Sequence, residues 1–211
     1  MSAIRQILTG FAIIGLAFTA TSVTAATYKE KIHYEKISPA QPVSTDGKKV
    51  EVVEMFWYGC PHCNKLEPYV DRWVKKMPKN VVFVRTPAIF RPDWELHARA
   101  YYTAEILGVV DKTHKAMFDA IHGKRQKMNT EKAIMDLYSK YGVSNDDFKR
   151  VFKSFAVEAK VRRAKDMSRR YGIKGVPALI VNGKYRTGAQ QAGGNNKIFK
   201  VVNYLVELES K

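Results

Sequence analysis

The stretch that decides the fold is VEVVEMFWYGCPHC, residues 50–63. Residues 50–58 are dense in β-branched and aromatic side chains and read as a buried strand, except for Glu54. Gly59 and Cys60 end it. Pro61 suits the first position of a helix, where its missing N–H has no partner to lose. Leu66, Tyr69, Val70, Trp73, Val74 and Met77 follow at helical spacing, and Pro78 stops them. Residues 81–85 read as a second buried strand. The result is a strand–helix–strand unit with a CxxC pair at the helix start.

Two thiols three residues apart at a helix start can close a disulfide within one turn. The Cys60 sulfur faces unpaired N–H groups and the positive end of the helix, which favours a thiolate. His62 adds a donor or a positive charge beside it. Cys63 lies one turn in and is less favoured as a thiolate. Cys60 is therefore expected as the exposed, attacking sulfur and Cys63 as the resolving one. Stabilising the Cys60 thiolate favours the dithiol, which makes the disulfide a stronger oxidant. Three blander readings compete. A zinc site needs two more ligands, and His33, His97, His114 and His122 are scattered without ligand spacing. A purely structural disulfide across four residues stabilises little. A papain-like Cys/His nucleophile leaves the second cysteine unexplained.

Outward from this unit, residues 33–37 read as a short strand, followed by turns at Pro39, Pro42 and Asp46-Gly47. Beyond Phe90 the texture is helical: 93–107, 112–121, a helix from Thr130 to Tyr141, one begun by a Ser144/Asp147 capping box, and a basic helix over 157–171. Residues 178–181 and 184–187 read as strands joined by a two-residue Asn182-Gly183 turn. Asn195 or Asn196 is the expected cap of a last helix. That helix buries Ile198, Phe199, Val201, Val202, Leu205 and Val206 on one face. A β-α-β half and a β-β-α half thus flank a helical segment and share one sheet. His97, His114 and His122 are expected as surface or capping residues. Phe56, Trp57, Trp73 and Trp94 are expected as core or groove wall, and Met117, Met128, Met135 and Met167 as core filling.

The composition agrees with a globular chain. Of 211 residues, 45% are apolar and 11% aromatic, enough to bury a core. Only two cysteines are present, which excludes a disulfide framework. Residues 1–25 carry Arg5, an apolar run from Ile7 to Ala20, and Val23-Thr24-Ala25 before a cut ahead of Ala26, the pattern of a secretory signal. A transmembrane anchor is the alternative, diluted by Thr19, Thr21, Ser22 and Thr24. The net charge of +16 gathers partly over 149–174. A solvated helix face is its expected meaning, with an anionic membrane surface as the alternative and no nucleic-acid reader motif in sight.

The chain resembles the DsbA family of periplasmic thiol:disulfide interchange proteins, within the thioredoxin superfamily. The resemblance is carried by EMFWYGCPHC (54–63), by Gly175-Val176-Pro177-Ala178, and by Val181-Asn182-Gly183-Lys184, and it covers residues 27–211. It implies an α/β, thioredoxin-like fold with an inserted all-helical domain. Residues 26–89 and 165–211 would form the thioredoxin-like part and 90–164 the insertion. It implies that Pro177 follows a cis peptide facing the CxxC, and that Val176 offers backbone to an extended substrate. It places Glu54 beneath the disulfide, where it helps move the Cys63 proton; a neutral, hydrogen-bonded core carboxyl is the alternative. Glu67 and Arg85 match two further charged positions, the family commonly having lysine in place of Arg85. Arginine keeps its proton, which weakens any proton transfer through that residue.

The implied activity is that of a monomeric periplasmic oxidase. It passes its Cys60–Cys63 disulfide to reduced secreted proteins and is reoxidised by a DsbB-like, quinone-linked membrane protein. Beyond that disulfide it needs no cofactor, no metal and no nucleic acid. The rivals are a disulfide isomerase or reductase of the same fold, and a non-catalytic periplasmic peptide-binding module.

Overall fold

The computed structural model describes residues 28–210. The signal reading of residues 1–25 lies outside them. Among the described residues, no helix is long and apolar enough to cross a membrane.

The centre is a mixed sheet of β1 (Glu35–Lys36), β2 (Val50–Phe56), β3 (Val81–Pro87), β4 (Ala178–Val181) and β5 (Tyr185–Thr187), in the order β1-β5-β4-β2-β3. β2 runs parallel to β3 and antiparallel to β4. The parallel pair needs a crossover, which α1 (Pro61–Val74) supplies. Alternation along β2 sends Val50, Val52 and Glu54 to one face and Val53 and Met55 to the other. Val50 and Val52 pack with Leu66, Val70 and Trp73 of α1 and with Ile198, Val202 and Leu205 of α8 (Asn195–Glu209). Val53 and Met55 pack with Tyr171, Ile173 and Ile180.

Between β3 and β4 lie α2 (Pro92–Ile106), α3 (Val110–Phe118), α4 (Glu131–Ser139), α5 (Asn145–Phe152) and α6 (Phe155–Arg170). Their shared core includes Ala98, Tyr101, Met117, Phe118, Ile134, Tyr138, Phe148 and Val161. Phe56, Tyr58, Cys60 and Cys63 belong to that same cluster. Thr130 and Ser144 cap α4 and α5 through their hydroxyls, as the sequence indicates.

Several expectations are corrected. α6 begins two residues earlier than expected, because the Ser154 hydroxyl accepts the Val157 N–H. It runs unbroken to Arg170. The helix expected over 112–121 ends at Phe118 and continues as a π-turn over Asp119–Gly123. The last helix is capped by neither asparagine. Gly194 holds that position with φ of 126°, a backbone that a side chain would strain. A short α7 (Ala189–Ala192) was not foreseen. The Asn182-Gly183 turn is as expected, with φ of 51° and 64°, the values of a type I′ hairpin.

Candidate active site

Cys60 occupies the N-cap of α1, Pro61 follows as its first residue, and the Cys60 N–H donates to Trp57 O at 2.9 Å. Gly59 is required in this turn because a Cβ there would collide with the Trp57 ring. That ring is stacked on Trp94, with centroids 4.1 Å apart at 4°, and both indoles are half-buried. Cys60 is less open than its expected role suggests: it is 8% exposed, against 0% for Cys63. His62 and Pro61 stand on the exposed rim.

The two thiols are unpaired, and their environments oppose each other. Cys60 is lowered to about 6, first by the hydrogen bond from Cys63, then by the N–H groups of Cys63 and His62 and the His62 charge. The N–H groups are the helix-terminus effect, which here ranks second to the Cys63 thiol. Burial pushes Cys63 well above its ordinary value, and Cys60 and Glu54 add to that.

Val176 and Pro177 come to the same place. The Val176–Pro177 peptide is cis, as the resemblance implies. The Cys60 Sγ donates to Val176 O at 3.4 Å, so the loop before β4 touches the sulfur. A groove of about 600 Å³ starts here, lined by His62, Val176, Pro177, Arg186, Gln191 and Asn195 among others. Its wall is fixed by Arg186, which donates to Tyr171 O at 2.8 Å and to Gly172 O at 2.6 Å and pairs with Glu35. Residue spacing gave no sign of the Arg186–Glu35 pair, because its partners lie on opposite ends of the chain.

Glu54, Glu67 and Arg85 are also brought together, on the α1 face of the sheet. Arg85 Nε lies 3.3 Å from Glu54 Oε2, and its Nη2 lies 3.2 Å from Glu67 Oε2 and 3.6 Å from Asp71 Oδ1. Glu54 is wholly buried and is raised to about 8, first by burial and then by the Glu67 charge, with Arg85 only partly offsetting them. Burial works to raise Glu67 as well. There the neighbouring His114 and Arg85 prevail and hold it below the usual carboxylate value.

The surface reading of the histidines is corrected at two positions. His97 and His114 are 9% and 6% exposed. His97 Nε2 contacts Met128 O at 2.9 Å, and His114 lies between the Tyr58 hydroxyl and Glu67. His122 keeps a capping role of an unforeseen kind: from the π-turn it reaches Tyr58 O at 2.8 Å. Met117 and Met128 are buried as expected, while Met135 and Met167 are half-buried. The basic helix is as expected: Arg162, Arg163, Lys165, Arg169 and Arg170 are exposed. Among the described residues, no group of three or more His, Cys, Asp or Glu side chains is arranged to hold a metal.

The sequence profile of the "DSBA-like thioredoxin domain" matches residues 81–206. "Thiol:disulfide interchange protein DsbA" of Pseudomonas syringae pv. tomato is 38% identical, over 97% of this chain and 96% of its own. That of Pseudomonas aeruginosa PAO1 is 40% identical, over 93% and 90%. The crystal structure of Pseudomonas aeruginosa DsbA matches with a TM-score of 0.82 at 40% identity, covering 86% of this chain and 94% of that one. The oxidoreductase DsbA from Xylella fastidiosa matches with a TM-score of 0.78 at 32% identity, covering 84% and 95%. With a thioredoxin-like sheet, a CPHC pair at the start of α1 and relatives aligned along nearly its whole length, the chain belongs to the DsbA family of thiol:disulfide oxidoreductases.

Proposed function

We propose that this oxidoreductase works as an oxidase, donating its Cys60–Cys63 disulfide to newly secreted proteins in the periplasm. A substrate thiolate attacks the Cys60 sulfur and Cys63 leaves. The buried Cys63 sulfur takes a proton from the Glu54 carboxyl. A second substrate thiolate then attacks the substrate sulfur of the mixed disulfide, and Cys60 departs as a thiolate. The substrate has lost two electrons to the protein and, on forming its two thiolates, two protons to solvent; the protein is left with a Cys60 thiolate and a Cys63 thiol, and Glu54 regains its proton from solvent. Reoxidation by a DsbB-like, quinone-linked membrane protein runs the steps backwards, with the Glu54 carboxylate accepting the Cys63 proton. Val176 and Pro177 present the loop that an extended substrate segment lies against. His62 and Pro61 shape the helix terminus around Cys60, while Glu67 and Arg85 set the charge around Glu54. Residues 26–89 and 165–211 act as the thioredoxin-like part, residues 90–164 as its helical insertion, and residues 1–25 as the cleaved export signal of a monomer.

The observation that carries this reading is the opposition of the two thiols, Cys60 lowered to about 6 and Cys63 pushed up. Relative to an ordinary thiol at 9.0, the Cys60 shift favours the dithiol by at most about tenfold at pH 7. Equilibrating the pure protein with glutathione tests it. A potential above about −200 mV, with transfer to a reduced unfolded protein, is the expected outcome. A potential near −270 mV, in the range of reducing thioredoxins, would make it a reductase.

A further inference from the structure

The buried charges beneath Cys63 are gripped from two sides, and one grip comes from the helical segment. His114, on α3, places Nδ1 3.0 Å from the Tyr58 hydroxyl and Nε2 3.3 Å from Glu67 Oε2. That same carboxylate oxygen lies 3.2 Å from Arg85 Nη2, and Arg85 Nε lies 3.3 Å from Glu54 Oε2. One guanidinium therefore serves two buried carboxylates. In one tautomer of the neutral ring Nδ1 accepts from the Tyr58 O–H, and Nε2–H lies beside Glu67 Oε2, 3.3 Å away. Burial disfavours the imidazolium, and the attraction of Glu67 only partly opposes this. The ring is faced by Glu67 and Asp71 from α1, Arg85 from β3, Tyr58 from the turn after β2, and Tyr101 from α2. On its own helix, Lys115 is exposed and paired with Asp119.

We propose that His114 is a positioning residue for the proton transfer at Cys63: by holding an N–H beside Glu67 it shares the load on that carboxylate, and so leaves Arg85 available to Glu54. The argument is one of competition. Glu67 and Glu54 draw on one guanidinium, and a carboxylate held by nothing else draws on it harder. An N–H donor on Glu67 weakens that draw without adding a charge. Glu54 has Arg85 as its cationic contact and no solvent, so it gains most. With the donor removed, Glu54 holds its proton to higher pH, so at neutral pH it is less often the carboxylate that can accept from Cys63 in the return step. This rests on the reading of Glu54 as the proton partner of Cys63.

The test compares His114→Leu with His114→Gln, whose amide N–H reaches towards Glu67 without the ring. The Glu54 carboxyl carbon is followed by NMR against pH in the reduced protein. In parallel, the rate at which Cys63 displaces glutathione from a Cys60–glutathione mixed disulfide is measured against pH. His114→Leu should move the Glu54 midpoint upward by about one pH unit, and the limb of the rate profile with it. His114→Gln should stay with the wild type. A leucine variant that titrates like the wild type overturns the proposal, as does a glutamine variant that moves as far as the leucine one. If His114→Leu does not fold, Glu67→Gln removes the competing carboxylate and should move the Glu54 midpoint downward; no movement overturns the proposal. A midpoint that moves without the rate limb overturns the Glu54 assignment, and with it the role of His114 in the reaction. An unmoved midpoint overturns the His114 proposal alone.

Discussion

Cys60 and Cys63 share one helical turn but lie in different media. The Cys60 side opens on an exposed rim and a groove, and its sulfur is served by the N–H groups that start α1. The Cys63 side is a largely buried cluster of Glu54, Arg85, Glu67 and His114. The start of any helix lowers a thiol at its N-cap. The second environment is less general. It needs an acid in the middle of a central strand and a histidine delivered from a separate helical segment. The first sulfur's chemistry is thus local, whereas the second's is assembled from the whole fold.

The contrast breaks most completely at the sulfurs themselves. Cys60→Ser should abolish disulfide transfer, while Cys63→Ser should accumulate a mixed disulfide with substrate, visible by mass spectrometry and reversed by reductant. Equal loss in both variants without a trapped species would remove the division of labour.

Glu54→Gln should act on the Cys63 side alone. Reoxidation should slow by about a hundredfold, the usual scale for losing a positioned acid or base, while iodoacetamide labelling of Cys60 changes little. The same variant carries a stability signature. Glu54 is raised from 4.5 to about 8, so its folding penalty is absent below pH 4.5, grows as pH rises, and is complete above pH 8. Glutamine removes that penalty. The variant should therefore melt above the wild type at pH 8, by more at pH 8 than at pH 5. A constant difference across that range would mean that Glu54 does not titrate between them.

The Cys60 side has the opposite sign. A thiol lowered from 9.0 to about 6 stabilises the reduced fold above its unfolded value, and this is lost as pH falls through about 6. Closing a four-residue loop constrains the unfolded chain little, so it does not reverse this. Reduction should raise the melting temperature at pH 7, and the difference should shrink towards pH 5. An oxidised form that melts higher throughout would mean that Cys60 is not a stabilised thiolate. The smallest effect belongs to His62→Ala, since the His62 charge ranks below the hydrogen bonds among the causes of the Cys60 shift. The labelling midpoint of a Cys63→Ser protein should rise by a fraction of a pH unit on adding this change.

The amino-acid sequence made the Cys60 side legible and left much of the other side hidden. A strand ending in Gly-Cys-Pro announces a helix N-terminus through local rules alone, and Pro61 indeed opens α1. Glu54 was visible because an acid interrupts an apolar run. His114 was not, because its meaning comes from Tyr58, 56 positions away, and from a carboxylate on another helix. A histidine at helical spacing looks the same whether it faces water or a buried charge. The last helix shows the same limit in reverse. Two asparagines offered a cap by type, but the chain arrives at φ of 126° and glycine takes the position.

The central strand pairing has a consequence for the order of assembly. β2 hydrogen-bonds β4 in a register that joins Val52 to Val181, so the middle of the sheet closes only after the whole helical segment has been made. Contacts within α2–α6 are nearer in sequence and cheaper in loop-closure entropy, which favours their early formation. A chain that emerges N-terminus first therefore presents β2, α1 and both thiols before the partner strand exists. During that interval the cysteine pair has neither the β4 loop against Cys60 nor the complete, packed charge cluster behind Cys63. The Cys60 side is set by α1 itself, but the Cys63 side is complete only once the later elements have packed, so the protein acquires its full redox character late in its folding.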